Sequence, residues 1–238
     1  MIVPCKPLLD ILNVVKVTSV DSVTIVPSER GWEFYIRDPS NFMMVTAILY
    51  REAFGEDYDE EMESFAISLE FFMDSIAKRA AIDMTIDNGF MKINAGDSKA
   101  KRRLYALDET PRIMPRIQLK NSVALGEGTL SGLADKKYWP RSSECDTGLE
   151  VKVTNEELTF SFESEREGYA DTIPVTLANM PDGEQTSHFS PTYLLPALKV
   201  LPKDVPILFA METDKPLIVT ATTTSYKIDV FVAPRIGD

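Results

Sequence analysis

Apolar and polar residues alternate with a period of two along several stretches of this 238-residue chain. Trp32, Phe34 and Ile36 fall on one side, with Glu33, Tyr35 and Arg37 on the other. Leu158, Phe160 and Phe162 alternate with Thr159, Ser161 and Glu163, and Tyr226, Ile228, Val230 and Val232 form a third set. That period marks antiparallel sheet with one face buried. Elsewhere the period lengthens to that of a helix. Residues 7–17 place Leu8, Ile11, Leu12 and Val15 together, with Pro7 suited to the first turn. Residues 69–80 gather Leu69, Phe72, Met73 and Ile76. Residues 129–139 gather Leu130, Leu133 and Ala134 before Pro140, and residues 191–201 gather Leu194, Leu198 and Leu201 around an internal Pro196.

The order of these elements repeats. A Ser that can cap a helix, an amphipathic helix and then strand, turn, strand, turn, strand occur from Ser68 and again from Ser190. The first turn is Asp87-Asn88-Gly89, a hairpin signal because Asn-Gly accepts the positive φ of a type I′ turn. Its counterpart is Thr213-Asp214-Lys215. Between the halves, DETPRIMPRIQLKN (108–121) carries two prolines and reads as an extended connector with Ile113, Met114, Ile117 and Leu119 as apolar knobs. The expected organisation is a domain over 1–107, a connector over 108–121 and a second domain over 122–238. Each domain would have two helices on antiparallel sheet, an α+β plan.

Composition adds little to this: 44% hydrophobic and 26% charged residues suit a soluble globular protein. No apolar run approaches the roughly 20 residues that span a bilayer. The start, MIVPCKPLLD, lacks a basic segment before an apolar core, so the chain is expected to begin here and to work in the cytosol. Cys5 and Cys145 lack metal-type spacing and read as reduced thiols, with a disulfide left open.

Charge changes the picture more. The net charge is −12, which on average repels nucleic acid. The acid is not evenly spread: EDYDEEME (56–63) carries much of it, whereas the four helical windows taken together are net basic, the one over 68–80 being neutral. Their cations are Lys6 and Lys16, Lys78 and Arg79, Lys136, Lys137 and Arg141, and Lys199 and Lys203. If the helices share one side, these residues form a basic face able to hold phosphates without sequence preference. The same pattern also fits lysines that merely solvate amphipathic helices.

Catalytic chemistry is poorly represented. His188 is the only histidine, so a two-histidine metal site is excluded. Cys145 has no activating neighbour in sequence. The acidic run lacks the glycine and spacing of a calcium loop. Walker, dinucleotide and nucleophile-elbow motifs are absent. No catalytic residue, metal or cofactor is expected, although an unrelated enzyme with a site invisible in sequence stays open.

Taken together, several stretches resemble one family in order along nearly the whole chain. IRDPSNFMMV (36–45) is similar to its Asp-Pro-Ala-Asn segment and following strand, and REAFGEDY and SLEFFMDSIAKRA follow in the same order. MPRIQLKNSVAL (114–125) lines up with its connector, FSPTYLLPALK with its Ser-x-x-Tyr-Leu helix start, and TDKPLIV and VAPRI with its last strands and tail. The family is the archaeal and eukaryotic DNA sliding clamp, proliferating cell nuclear antigen (PCNA).

The resemblance implies two similar domains, and three subunits closed head-to-tail into a ring whose helices line a hole around double-stranded DNA. The subunits would meet through edge strands near Arg103 and Leu107 and near Tyr169 and Leu177. The listed cations would face DNA. It also implies a pocket for short motifs of DNA polymerase, clamp loader, ligase and nuclease, framed by Phe42, Ile117, Leu119, Pro216, Phe231, Ala233 and Pro234, with Arg235 and Ile236 at the rim. Core packing explains an apolar residue such as Phe231 equally well. The expected role is a processivity factor without enzymatic activity, acting in replication and repair. It would be nucleoid-associated if archaeal or viral and nuclear if eukaryotic. The alternative within the family is a clamp-like subunit of a heterotrimeric scaffold with weak DNA contact.

Overall fold

The computed structural model describes residues 1–96, 98–107, 117–127, 130, 148–163 and 168–235. The chain forms two compact units. The first comprises Met1–Pro39, Val45–Met114 and Thr223–Ile228; the second comprises Ser40–Met44, Pro115–Thr222 and Asp229–Asp238. Each unit thus takes a short segment from the far side of the sequence.

The first unit runs β1 (Ile2–Pro4), α1 (Cys5–Lys16), β2 (Ser22–Ser28), β3 (Gly31–Arg37), β4 (Met43–Tyr50), a short 3-10 helix (Arg51–Asp57), β5 (Phe65–Ser68), α2 (Leu69–Ile76), β6 (Ala81–Asp87), β7 (Phe90–Ala95) and β8 (Ser98–Arg103). One sheet has the order β1-β6-β7-β8 and the other β4-β3-β2-β5. The second unit runs β9 (Ser122–Leu125), β10 (Leu149–Val153), β11 (Glu157–Glu163), β12 (Gly168–Pro174), β13 (Leu177–Asn179), β14 (Gln185–Phe189), α3 (Pro191–Val200), β15 (Ile207–Ala210), β16 (Leu217–Thr222) and β17 (Tyr226–Val232). Here the orders are β12-β11-β10-β14 and β13-β9-β15-β16-β17. The second unit therefore repeats the first, with β9, β15, β16 and β17 standing for β1, β6, β7 and β8, and β13 added beyond β9. The repeat extends past the last strand. Tyr105 bridges Ala66 on β5, and Pro234 bridges Phe189 on β14, the counterpart of β5.

Local chemistry accounts for these elements. Leu8, Ile11, Leu12 and Val15 are fully buried on α1, and Lys16 in its last turn complements the helix dipole. Ser68 caps α2, its hydroxyl accepting from the Phe71 N–H at 3.3 Å. Asn88 and Gly89 turn β6 into β7 with φ of 52° and 73°, as the Asn-Gly signal predicts. Gly31 opens β3 at φ 137°, where a Cβ would lie 2.0 Å from the Leu49 carbonyl oxygen; no other residue fits there. The alternating sets point into the core. Trp32 packs its ring 5.0 Å from Phe54 and 5.7 Å from Phe65 in the first unit. Phe160 meets Phe209 edge-on at 6.2 Å in the second. Each such buried ring contributes roughly 1.5–3 kcal/mol.

One expectation needs correction. The helix predicted over 69–80 stops at Ile76: Ala77 turns to ψ 136° and Lys78 sits at φ 61°, which a right-handed helix cannot pass through. Lys78 and Arg79 therefore lie in the turn before β6, not on a helix face. Pro196 lies within α3, which runs on to Val200; the proline has no N–H to donate, and the helix continues past it. Pro196 and Thr192, the residue one turn earlier, are both exposed. The helix expected over 129–139 lies outside the described residues, apart from buried Leu130.

Candidate functional site

The apolar candidates cluster in the second unit, and hydrogen bonds explain how. Asn41, at φ 61°, turns the chain so that Phe42 protrudes, 48% exposed. The Ala233 N–H donates to the Phe42 carbonyl at 2.8 Å, fixing the loop to the tail that follows β17. The Phe42 ring stacks on Tyr193 of α3, with centroids 5.4 Å apart and planes 29° apart. Further along the tail, the Arg235 N–H donates to the His188 carbonyl at 2.7 Å, beside the Phe189–Pro234 bridge. Gly148 permits this approach: it has φ 83°, and a Cβ there would lie 2.9 Å from Arg235 Cδ and 3.1 Å from the Phe189 carbonyl. The tail is thus docked, with Ala233 and Pro234 half-buried and Arg235 exposed.

On the connector side, Ile117 and Leu119 are half-buried. The Lys120 N–H donates to Glu212 Oε1 at 2.5 Å, while the Lys215 ammonium bonds the other carboxylate oxygen. One carboxylate therefore ties the end of the connector to the turn that carries half-buried Pro216. The Lys215 ion pair, with the Lys120 N–H, holds the Glu212 carboxyl below its ordinary value. Phe231 alternates out of phase with buried Ile228, Val230 and their partners, yet is only 9% exposed, so the opposite face of β17 is covered at this position. Ile236 lies outside the described residues. Sequence reasoning passes over Glu212, and it reads Tyr193 only as part of the Ser-x-x-Tyr-Leu helix start, not as a partner of Phe42. The Glu212 partner Lys120 is 92 positions away, and Tyr193 looks like an ordinary helix aromatic.

The basic candidates divide. Lys6 and Lys16 are exposed on α1, Lys199 is exposed on α3, and Lys203 is exposed just beyond it. Lys78 is exposed in its turn, whereas Arg79 is half-buried and donates to the Ala95 carbonyl at 3.3 Å. Lys136, Lys137 and Arg141 lie outside the described residues. A further basic group stands out in the fold: β8 carries exposed Lys99, Lys101, Arg102 and Arg103 and ends its sheet.

Enzyme-like groupings are sparse among the described residues, where no set of three His, Cys, Asp or Glu side chains could hold a metal. A cavity of about 620 Å³ is lined by Glu150, Ser161 and His188. Ser161 donates to Glu150 at 3.1 Å and His188 Nε2 lies 3.7 Å from the same carboxylate. Serine and histidine each address the glutamate rather than one another, so the three do not form a serine–histidine pair. Cys5 is buried, and burial raises its thiol above its ordinary value. Cys145 lies outside the described residues.

No protein-family model matches the chain, and no curated protein matches it by sequence. Solved structures do match it over their full length. A. fulgidus PCNA bound to the C-terminal region of FEN-1 is 18% identical, covers 100% of this chain and 98% of its own, and superposes with a TM-score of 0.83. PCNA from Thermococcus kodakaraensis is 17% identical over 99% of both chains, with a TM-score of 0.82. A PCNA2–PCNA3 complex from Sulfolobus tokodaii is 15% identical over 99% of this chain and 98% of that one, with a TM-score of 0.78. The fold is that of the PCNA clamps.

Proposed function

We propose that this chain is a subunit of a DNA sliding clamp: it encircles double-stranded DNA as a head-to-tail trimer and tethers replication and repair enzymes. The observation that carries the reading is the match to clamp structures over 99–100% of this chain and 98–99% of theirs. Three features of the chain support it. Exposed Lys6, Lys16 and Lys199 lie on helices while the chain as a whole is acidic, which suits mobile, sequence-independent phosphate contacts inside a ring. Strands β8 and β12 both end their sheets, and they differ in charge, with Lys99, Lys101, Arg102 and Arg103 on one and Glu157 and Glu163 beside the other. Pairing the β8 edge of one copy with the β12 edge of the next would remove both exposed edges and repeat around a closed ring.

The third feature is the surface around Phe42, the connector end and the docked tail. A preformed apolar site of this kind suits a short partner segment with a few buried anchors. The FEN-1 region bound to A. fulgidus PCNA is the model for such a partner, alongside polymerase, ligase and clamp-loader segments. Mechanistically the clamp makes and breaks no bond. Closure keeps it on DNA while weak contacts let it slide, and a bound partner gains local concentration through tethering.

The test is retention. Native mass spectrometry should show three identical chains. The protein, once loaded, should stay on closed circular DNA, leave after linearisation, and extend polymerase products on a primed circle. A stable monomer that assembles only with different clamp subunits would replace this reading with the heterotrimeric one, for which the PCNA2–PCNA3 complex is a precedent. Equal loss from circular and linear DNA would remove the clamp function.

A further inference from the structure

Among the described residues, Phe42 is one of few large apolar side chains left exposed in the second unit, and it is held at two points. Its carbonyl is held by the Ala233 N–H at 2.8 Å, and one face of its ring is held by Tyr193 at 5.4 Å. Tyr193 is itself half-buried in the first turn of α3, where its N–H donates to the Ser190 carbonyl at 3.1 Å, so its backbone is tied to the helix start. The remaining face of Phe42 is a flat π surface already fixed in orientation. A partner that lays a side chain against it orders little that was not ordered before. Resting on the pocket reading above, we infer that Tyr193 is a positioning residue for partner recognition: by backing Phe42 it creates an aromatic wall that selects partner segments whose anchor is itself aromatic.

The chemistry gives the selection a direction. Offset or edge-on aromatic contacts favour aromatic anchors over aliphatic ones of similar area, by roughly two- to tenfold per contact. That preference depends on the orientation of Phe42. With Tyr193 shortened, Phe42 gains rotamers, still offers apolar area, and loses the fixed plane. The expected consequence is a loss of discrimination more than a loss of binding in general. The Tyr193 hydroxyl is not needed for the stack.

Two synthetic peptides test this by calorimetry on the full-length protein. One carries a short motif with phenylalanine anchors and the other is identical except for leucine at those positions. The natural protein should prefer the phenylalanine peptide by about tenfold. Tyr193→Leu, which keeps apolar bulk on the helix, should cut that ratio to about twofold or less, and Tyr193→Phe should keep it. In a Phe42→Ala background, Tyr193→Leu should change nothing further. Melting temperatures of the variants identify any that fail to fold, and the Tyr193→Phe result then stands against Phe42→Ala. An unchanged ratio in Tyr193→Leu overturns the inference while leaving the pocket intact. Failure of the natural protein to bind either peptide defeats the pocket reading, and this inference with it.

Discussion

Strands β8 and β17 hold the same place in the two repeated units, each the last of its sheet's consecutive strands, and they have opposite chemistry. β8 reads SKAKRR and is exposed at every position but half-buried Ala100. β17 reads YKIDVFV, and Tyr226, Ile228, Val230, Phe231 and Val232 are buried. Topology alone therefore does not set the character of a strand; what lies on either side of it does. β17 has been built as core. β8 pairs only with β7 and ends its sheet, so its outer row of backbone groups is offered to solvent or to another chain. Four cations there guard against indiscriminate pairing. They also carry a cost: Lys101 lies directly opposite Lys92, whose charge is partly met by Asp87 at 2.7 Å. Acidic side chains near a partner edge would relieve that repulsion, and in the second unit Glu157 and Glu163 stand on β11, one strand in from the β12 edge.

The largest expected effect comes from breaking the buried member of the pair. Val230 is fully buried, and Val230→Ala leaves a cavity that should cost about 2–3 kcal/mol. The melting temperature should fall by roughly 5–10 °C for a chain of this size. Lys101→Ala on β8 should change stability by less than about 0.5 kcal/mol. Similar losses for the two substitutions would show that β8 is structural core after all, and the contrast would fail.

Next in size is the reversal of the exposed member. Lys99, Lys101 and Arg103 alternate onto one face of β8, so changing all three to Glu leaves the Met91 and Ile93 face of the sheet alone. Self-association should weaken by about 1–2 kcal/mol per junction, roughly five- to thirtyfold, with little change in unfolding of the separated chain. Adding a second chain carrying Glu157→Lys and Glu163→Lys should restore association in the mixture. Light scattering of each sample and of the mixture reads the outcome. Assembly unaffected by the triple reversal would mean that β8 does not face an acidic partner.

Much of this contrast was legible in the residues. The period-two sets of β3, β11 and β17 and the Asn88-Gly89 hairpin carry their structure locally, because burial and turn geometry act over a few positions. The repeat was legible too, since a serine precedes the helix at positions 68 and 190 at the same point of the plan, although only the Ser68 hydroxyl makes a capping bond. Less legible was whatever depended on distant chain. The end of α2 at Ile76 is set by backbone geometry at Ala77 and Lys78, whose side chains would suit a helix well. Arg79 reads as a solvent cation but is partly committed to the Ala95 carbonyl. The support of Phe42 by Tyr193 joins positions 151 residues apart and leaves no trace in any local pattern.

The turns that precede the last two strands of each unit sharpen the comparison at the smallest scale. In the first unit Asn88 and Gly89 make a minimal hairpin, with nothing within 4 Å of a Cβ built on Gly89. In the second the counterpart spans residues 211–216 and carries Glu212, which binds the Lys120 N–H and the Lys215 ammonium together. The longer turn thus anchors the connector, and the anchor is ionic. Because the folded-state carboxyl is held below its ordinary value of 4.5, its contribution is complete above that value and is lost as pH falls through the lower one. Glu212→Gln keeps an acceptor for Lys120 but drops the ion pair, so at neutral pH it should weaken an aromatic-anchored peptide by about two- to threefold. As the pH is lowered past the carboxylate range, the natural protein should approach the variant while the variant changes less. Calorimetry of both proteins across that range measures the convergence. A constant gap between them would mean that Glu212 does not hold the connector through its charge, and that the extra length of this turn has some other use.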